Sequence, residues 1–315
     1  LEHPIVQAPI GSATTPALVA AVCHAGALGS LSITWRSPEE IAAVLAATRT
    51  LTSRPFAINV VLAWPQDERI AIALEAGVRL VWTFWGDPSG HAVHVHEAGG
   101  LLIHTIGSVE DAARAVDGGV DVLVAQGIEA GGHVCGTTPA RALLSAVSER
   151  FPDVPVIVAG GMADADDVAT MMEAGADAVC LGTRFICAAE ANAAPIYQRL
   201  IIEAGADATA VGEIFNQGWP HAPHRVLRNS TVRLWEEAGR PASGTRPGQG
   251  ERLATMADGR AIERYGFAMP RADMQGNLEA LALYAGEGAA RIRDVLPAAD
   301  IVRALARKLP AAAGA

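Results

Sequence analysis

Lysine is almost missing from this 315-residue chain: of 24 basic residues only Lys308, close to the C-terminus, is a lysine. A Schiff-base mechanism needs a buried lysine with a lowered pKa, so that chemistry has no candidate here. Cysteine is scarce too. Cys23, Cys135, Cys180 and Cys187 form no C-x-x-C pair. That removes zinc-site spacing and a disulfide framework and makes a reducing cytoplasm the expected compartment. Charged residues reach only 18% against 50% hydrophobic, the reverse of what keeps a chain disordered. No apolar run approaches the roughly 18 residues of a membrane-spanning helix, and no basic stretch precedes an apolar run at Leu1, so no secretory leader is expected. The net charge is −10. Phosphate neutralisation requires clustered Lys and Arg, so neither nucleic acid nor an anionic membrane is an expected partner.

What is present is rhythm. Over the first 205 residues short apolar runs alternate with helical patterns. The candidate strands are Pro4–Ile10, Ala27–Ser32, Phe56–Leu62, Arg79–Trp85, Leu101–Gly107, Val120–Gly127, Val154–Gly161 and Ala176–Phe185. Helix-start signals stand at Thr15-Pro16, Ser37-Pro38-Glu39-Glu40, Ser108-Val109-Glu110-Asp111 and Asp164-Ala165-Asp166-Asp167, each a capping side chain before Pro or acids. Glu-Ala-Gly recurs at Gly77, Gly99, Gly175 and Gly205, where glycine can take the left-handed conformation that ends a helix. Eight strand–helix units predict a closed (β/α)8 TIM barrel; a doubly wound sheet is second, and no G-x-G-x-x-G follows the first strand. Residues 206–275, rich in Pro, Gly and Arg, break the rhythm and are expected to form a small inserted helical domain or lid. Residues 1–205 and 276–315 are expected to make the barrel, the latter as helices closing its wall.

Barrel chemistry sits at the C-terminal strand ends. Ala159-Gly160-Gly161-Met162 follows the seventh candidate strand, and Leu181-Gly182-Thr183-Arg184-Phe185 ends the eighth. Two glycine turns one βα unit apart, beside a helix start, predict an anion cradle for a phosphate, of a cofactor or of a substrate. Ala125-Gln126-Gly127-Ile128-Glu129-Ala130-Gly131-Gly132-His133 follows the sixth strand. Its permissive backbone suits close approach to a flat ligand, and His133 can act there as acid or base. Gln7-Ala8-Pro9-Ile10 ends the first strand and Asn59 lies in the third; an inward Asn must find a hydrogen-bond partner. Other features carry less. His94 and His96 are about 200° apart on a helix and cannot share a metal. His221 and His224 lie in an expected loop without partner ligands. Trp82 and Phe84 read as packing, Trp85 can reach the mouth, and Cys135 has no cation but His133 to activate it.

The combination of Gln126-Gly127-Ile128-Glu129-Ala130-Gly131-Gly132-His133 with Pro4-Ile5-Val6-Gln7-Ala8-Pro9, Gly26-Ala27-Leu28-Gly29-Ser30, Ala159-Gly160-Gly161-Met162, Gly182-Thr183-Arg184-Phe185 and Ala285-Gly286-Glu287-Gly288 resembles the nitronate monooxygenase family, formerly 2-nitropropane dioxygenases. The resemblance implies an FMN-containing (β/α)8 barrel with a small extra domain. It implies that Gly161, Cys180, Leu181, Gly182 and Thr183 hold the FMN phosphate, and that Asn59, Gln126 and Gly131 contact the flavin or its ribityl chain. Ala8, Pro9, Ile10, Gly132 and Gly160 complete the expected cofactor-binding set, and His133 is the implied active-site histidine. The chain departs from many relatives at Pro9-Ile10-Gly11-Ser12, where they carry Met-Ala-Gly, and at Thr105, where some carry lysine.

The expected reaction is FMN-dependent oxidation of alkyl nitronates, and of nitroalkanes, by dioxygen to a carbonyl compound and nitrite. A protonated His133 would hold a nitronate; a neutral one would deprotonate a nitroalkane. Three alternatives stand beside it: an NAD(P)H-dependent enoyl-acyl-carrier-protein reductase, which shares Ala-Gly-Gly-His, a metal-free phosphosugar isomerase or synthase, and a non-catalytic flavin-binding protein. A monomer or homodimer is expected.

Overall fold

The computed structural model describes residues 1–310. Eight parallel strands form the barrel: β1 (Ile5–Gln7), β2 (Ser30–Ser32), β3 (Ala57–Val61), β4 (Leu80–Phe84), β5 (Leu101–Ile106), β6 (Val122–Gln126), and, after the two-residue β7 (Gly132–His133) that joins another sheet, β8 (Val156–Ala159) and β9 (Ala178–Leu181). From β2 onward each barrel strand pairs with the next in chain order, and β9 pairs with β1. The last seam closes just before β2: Gln7 N donates to Leu28 O and Leu28 N to Ile5 O, both at 2.9 Å. No strand edge of the barrel is left open there, which is the advantage of closure.

The helices begin where the capping signals stand. Thr15, Ser37, Ser108 and Asp164 each accept a backbone N–H from the first turn of α1 (Pro16–His24), α2 (Pro38–Leu51), α5 (Val109–Asp117) and α7 (Ala165–Glu173), with reciprocal capping boxes at Ser37/Glu40 and Asp164/Asp167. Between them come α3 (Asp67–Glu75), α4 (Ala92–Glu97) and α6 (Ala140–Arg150). Gly77, Gly99 and Gly175 take positive φ, as the helix-end pattern requires; Gly205 does not, because its helix, α9 (Pro195–Ile202), has already ended. The short α8 (Thr183–Ile186) replaces the second half of the eighth candidate strand.

Two apolar layers follow from the period-2 alternation of strand side chains. Ile58, Val60, Val81, Leu102, Leu123, Val158 and Val179 face outward onto the helices. Val6, Trp82, Ile103, Val124, Ile157 and Cys180 fill the barrel interior. The interior layer is a floor, and the strand ends above it are the walls of a cavity.

Residues 206–275 differ from the helical expectation. They contain one helix, α10 (Ser230–Glu237), and five strands: β10 (Thr209–Gly212), β11 (His224–Leu227), β12 (Arg252–Thr255), β13 (Ala261–Glu263) and β14 (Gln275–Gly276). Short runs such as His224-Arg225-Val226-Leu227 cannot be assigned by periodicity alone. The strand β11 pairs antiparallel with β10 on one side and with β7 on the other, setting His224 opposite His133. Residues 276–310 also depart from expectation. They hold one α-helix, α11 (Ala298–Ala306), and two 3-10 turns at Leu278–Ala280 and Glu287–Arg291. Glycines at 286 and 288 sit against the backbone of Glu129 and Met162, where a Cβ would come within 2.7 Å; this stretch is shaped for close approach rather than for helix.

Candidate active site

A cavity of about 790 Å³ opens over the C-terminal strand ends. Ala8, Pro9, Ile10, Asn59, Gln126, Gly131, Gly132, His133, Gly160, Gly161, Cys180, Leu181, Gly182 and Thr183 all line it. The sequence spreads these residues over 176 positions; barrel closure brings them together.

The inner end is backbone. Gly160 (φ 124°) and Gly161 (φ 72°) follow β8, and Gly182 precedes α8. Among the described residues the amides of Gly160, Gly161, Met162 and Gly182 donate to no protein acceptor. Unspent amides at adjacent turns that face a cavity form a concave anion cradle. Thr183 Oγ1 accepts from Gly286 N at 2.9 Å and ties the cradle to the C-terminal segment. A phosphate fits this chemistry. Above it, Asn59 Nδ2 donates to Trp82 O at 3.1 Å, so part of its hydrogen bonding is met inside the protein. Gln126 Nε2 donates to the His133 carbonyl at 3.0 Å and its Oε1 faces Cys135 Sγ at 3.6 Å. Thr105 Oγ1 accepts from Trp82 Nε1 at 2.8 Å. A flat, amide-edged ring over the apolar floor suits such a wall.

His133 lines the same cavity. Gly132 takes φ 80°, and Gly131 packs so closely on Ala285–Gly286 that a Cβ would lie 2.3 Å from Gly286 N. This turn throws the imidazole against Trp219, stacked at 3.9 Å, with His224 at 5.2 Å and Tyr284 at 5.4 Å. His133 Nε2 is buried without a hydrogen-bond partner. Burial first, and then the neighbouring His224, hold its pKa well below the ordinary histidine value. Such a shift favours the neutral ring while no anion lies beside it.

His224 was missed. It is not in a loop but on β11, fully buried. Its Nε2 accepts from Phe215 N at 3.0 Å, and its Nδ1 lies 2.9 Å from Ala222 O. One nitrogen must accept and the other donate, which fixes a neutral Nδ1–H tautomer; burial lowers its pKa to about 4. Trp219 was missed as well: it sits in a Gly-Trp-Pro turn whose sequence says nothing about reaching across the barrel. Arg225, also on β11, donates to Ile128 O at 2.9 Å and pairs with Glu287 at 3.0 Å, clamping the glycine-rich loop between two distant segments. Trp85, at φ 62°, packs on Trp219 at 5.2 Å and lies 6.4 Å from His133, but it is not among the residues that line the cavity. Cys135 is no nucleophile: burial, then Asp111, raises its thiol pKa to about 12. No cluster of metal ligands occurs among the described residues, nor does any described helix have the length and apolarity to cross a membrane.

The nitronate monooxygenase family model matches residues 1–68 and 61–308. The chain belongs to the nitronate monooxygenase family. It is accordingly a flavin-dependent oxidoreductase. A nitronate monooxygenase of Paraburkholderia phytofirmans is 30% identical, over 98% of this chain and 93% of that protein. A Mycobacterium tuberculosis protein named (3aS,4S,5R,7aS)-5-hydroxy-7a-methyl-1-oxo-octahydro-1H-indene-4-carboxyl-CoA dehydrogenase is 31% identical over 76% of this chain and 67% of its own length. Among solved structures, nitroalkane oxidase from Streptomyces ansochromogenes superposes with TM-score 0.79 at 27% identity, covering 98% of this chain and 95% of that one. At the level of the family these likenesses support flavin-dependent oxidation of nitro compounds.

Proposed function

We propose that the protein binds FMN and oxidises alkyl nitronates, and nitroalkanes, with dioxygen to a carbonyl compound and nitrite. The observation that carries this reading is His133: an imidazole with a buried, unpartnered Nε2 on the wall of a cavity that also presents an anion cradle. The amides of Gly160, Gly161, Met162 and Gly182 would hold the FMN phosphate, while Asn59, Gln126 and Thr105 would face the ring. Bound there, FMN would supply the redox chemistry between substrate and dioxygen.

The chain's own part is acid–base and positional. Neutral His133 takes the α-proton of a nitroalkane, and the resulting nitronate gives the imidazolium the counter-charge that burial denies it. A pre-formed nitronate needs no such transfer. Trp219 holds the ring orientation by stacking, and the Gln126 bond to the His133 carbonyl fixes the loop. Residues 206–275 serve as the cover that excludes water from this transfer, through Trp219 and the β11–β7 pairing.

The test is anaerobic. Flavin absorbance of the loaded protein should bleach on addition of ethyl nitronate or nitroethane and recover with oxygen. Bleaching by NADH but by neither nitro compound would replace this reading with NAD(P)H-dependent reduction.

A further inference from the structure

The cavity continues outward past the reacting end. His133 stacks on Trp219, which meets Trp64 at 5.0 Å, and Trp64 meets Trp35 at 5.8 Å. Trp35 lies three ring contacts from His133, and 49% of its surface is exposed, unusual for a tryptophan that lines a cavity. Met256, Ile262, Phe267 and Met274 line the same cavity, and Phe267 meets Trp35 at 5.8 Å. Flexible thioethers and aromatic faces of this kind accept apolar chains or rings of varied shape.

Beside Trp35 the wall ends in charge. Arg36 lines the cavity and is half-buried. Its Nε donates to Ser32 O at 3.2 Å, and among the described residues no carboxylate lies within 4.0 Å of its guanidinium. The nearest candidate, Glu40, is committed to capping α2 through Ser37 N at 2.8 Å. Arg271 adds a second positive charge near it, partly spent on Asp273 at 2.9 Å. Burial lowers the Arg36 pKa, with Glu40 opposing that and Arg271 adding to it. A half-buried guanidinium without a counter-ion is poorly served by its surroundings, and its planar donors match a carboxylate or phosphate.

We propose that Arg36, with Arg271, binds the anionic terminus of an elongated apolar substrate that lies along Trp35 and Trp219 with its reacting end at His133. This rests on the reaction assigned above and narrows its substrate class. The preferred compound is a long aliphatic or ring-containing nitro compound ending in a carboxylate or phosphate, since Trp35 lies three ring contacts from His133.

Equilibrium binding to the flavin-loaded protein tests this without turnover, read as tryptophan emission with decanoate, 1-decanol and butanoate as probes. Decanoate should bind at least about tenfold more tightly than either, the worth of one good charge-assisted contact and of the added apolar length. Arg36→Gln should bring decanoate to the level of 1-decanol and leave 1-decanol unchanged. Trp35→Ala should weaken both. Arg271→Gln, at a surface ion pair, provides a second variant should Arg36→Gln not fold; it should lower decanoate binding several-fold and spare 1-decanol. Equal binding of decanoate and 1-decanol to the wild-type protein, or an undiminished preference in Arg36→Gln, overturns the proposal. Two failures are distinguishable: normal bleaching by nitroethane without decanoate preference overturns this site alone, whereas decanoate preference without bleaching by any nitro compound overturns the reaction alone.

Discussion

The inner end of the cavity is made of backbone, and the outer end of side chains carried in from far along the chain. At the inner end, Gly160, Gly161 and Gly182 present amides from two consecutive βα turns. Their spacing is written in the sequence, because only glycine tolerates φ values of 124° and 72° without strain. At the outer end, Trp219 and His224 come from residues 206–275 and meet His133 through a strand pairing of two residues. No local rule demands a tryptophan or a histidine there. A site made of backbone leaves a compositional trace; a site made of converging side chains leaves one only after folding.

The sharpest way to break this comparison is to damage each end separately. Gly161→Asp puts a carboxylate where the phosphate is expected. A unit charge at about 4 Å in a partly screened site is worth about 4 kcal/mol, so flavin retention, read as the visible-to-ultraviolet absorbance ratio after gel filtration, should fall roughly a thousandfold. Unchanged retention would mean that the glycine turns do not hold the cofactor.

His133→Asn should leave retention intact while slowing nitroethane-driven anaerobic flavin reduction by at least about a hundredfold, the low end for a lost positioned base. Ethyl nitronate, already deprotonated, should suffer less. Wild-type rates with both substrates would make His133 a bystander.

His224→Phe removes partners from Phe215 N and Ala222 O. Leaving two buried groups unmet costs about 1–3 kcal/mol each, visible as a lower denaturant midpoint, with flavin affinity affected far less than in Gly161→Asp. The same residue enters the pH dependence. His104 and His224 have pKa values of about 4 in the folded protein against an ordinary 6.5, and burial is the first cause for each. Below 6.5 the unfolded chain takes up protons that the folded one refuses. Stability is therefore full above 6.5 and is lost as pH falls toward 4, by up to about 1.4 kcal/mol per pH unit for each histidine. The acid limb should be shallower in His224→Phe; an identical slope would show that this ring titrates normally.

The smallest effect expected is proteolytic. The segment around Gly244–Gly250, with positive φ at Gly244, Gly248 and Gly250, should be cut before any barrel helix. Initial cleavage within the barrel would reverse the expected ranking of the two regions.

Several features were fixed by residues acting locally. Apolar runs of barrel length, capping pairs such as Ser37/Glu40 and Asp164/Asp167, and left-handed glycines at 77, 99 and 175 determine strand, helix and turn by short-range sterics and hydrogen bonds. Every expected site residue lines the same cavity. Other features were decided only when distant segments met. Within residues 206–275, His224–Leu227 became a strand because β11 found β7 and β10 as partners. His133 is shielded from water by Trp219, Tyr284 and His224. Burial and charge balance depend on what surrounds a group in space, and for these residues the surroundings lie tens to more than a hundred positions away in the chain.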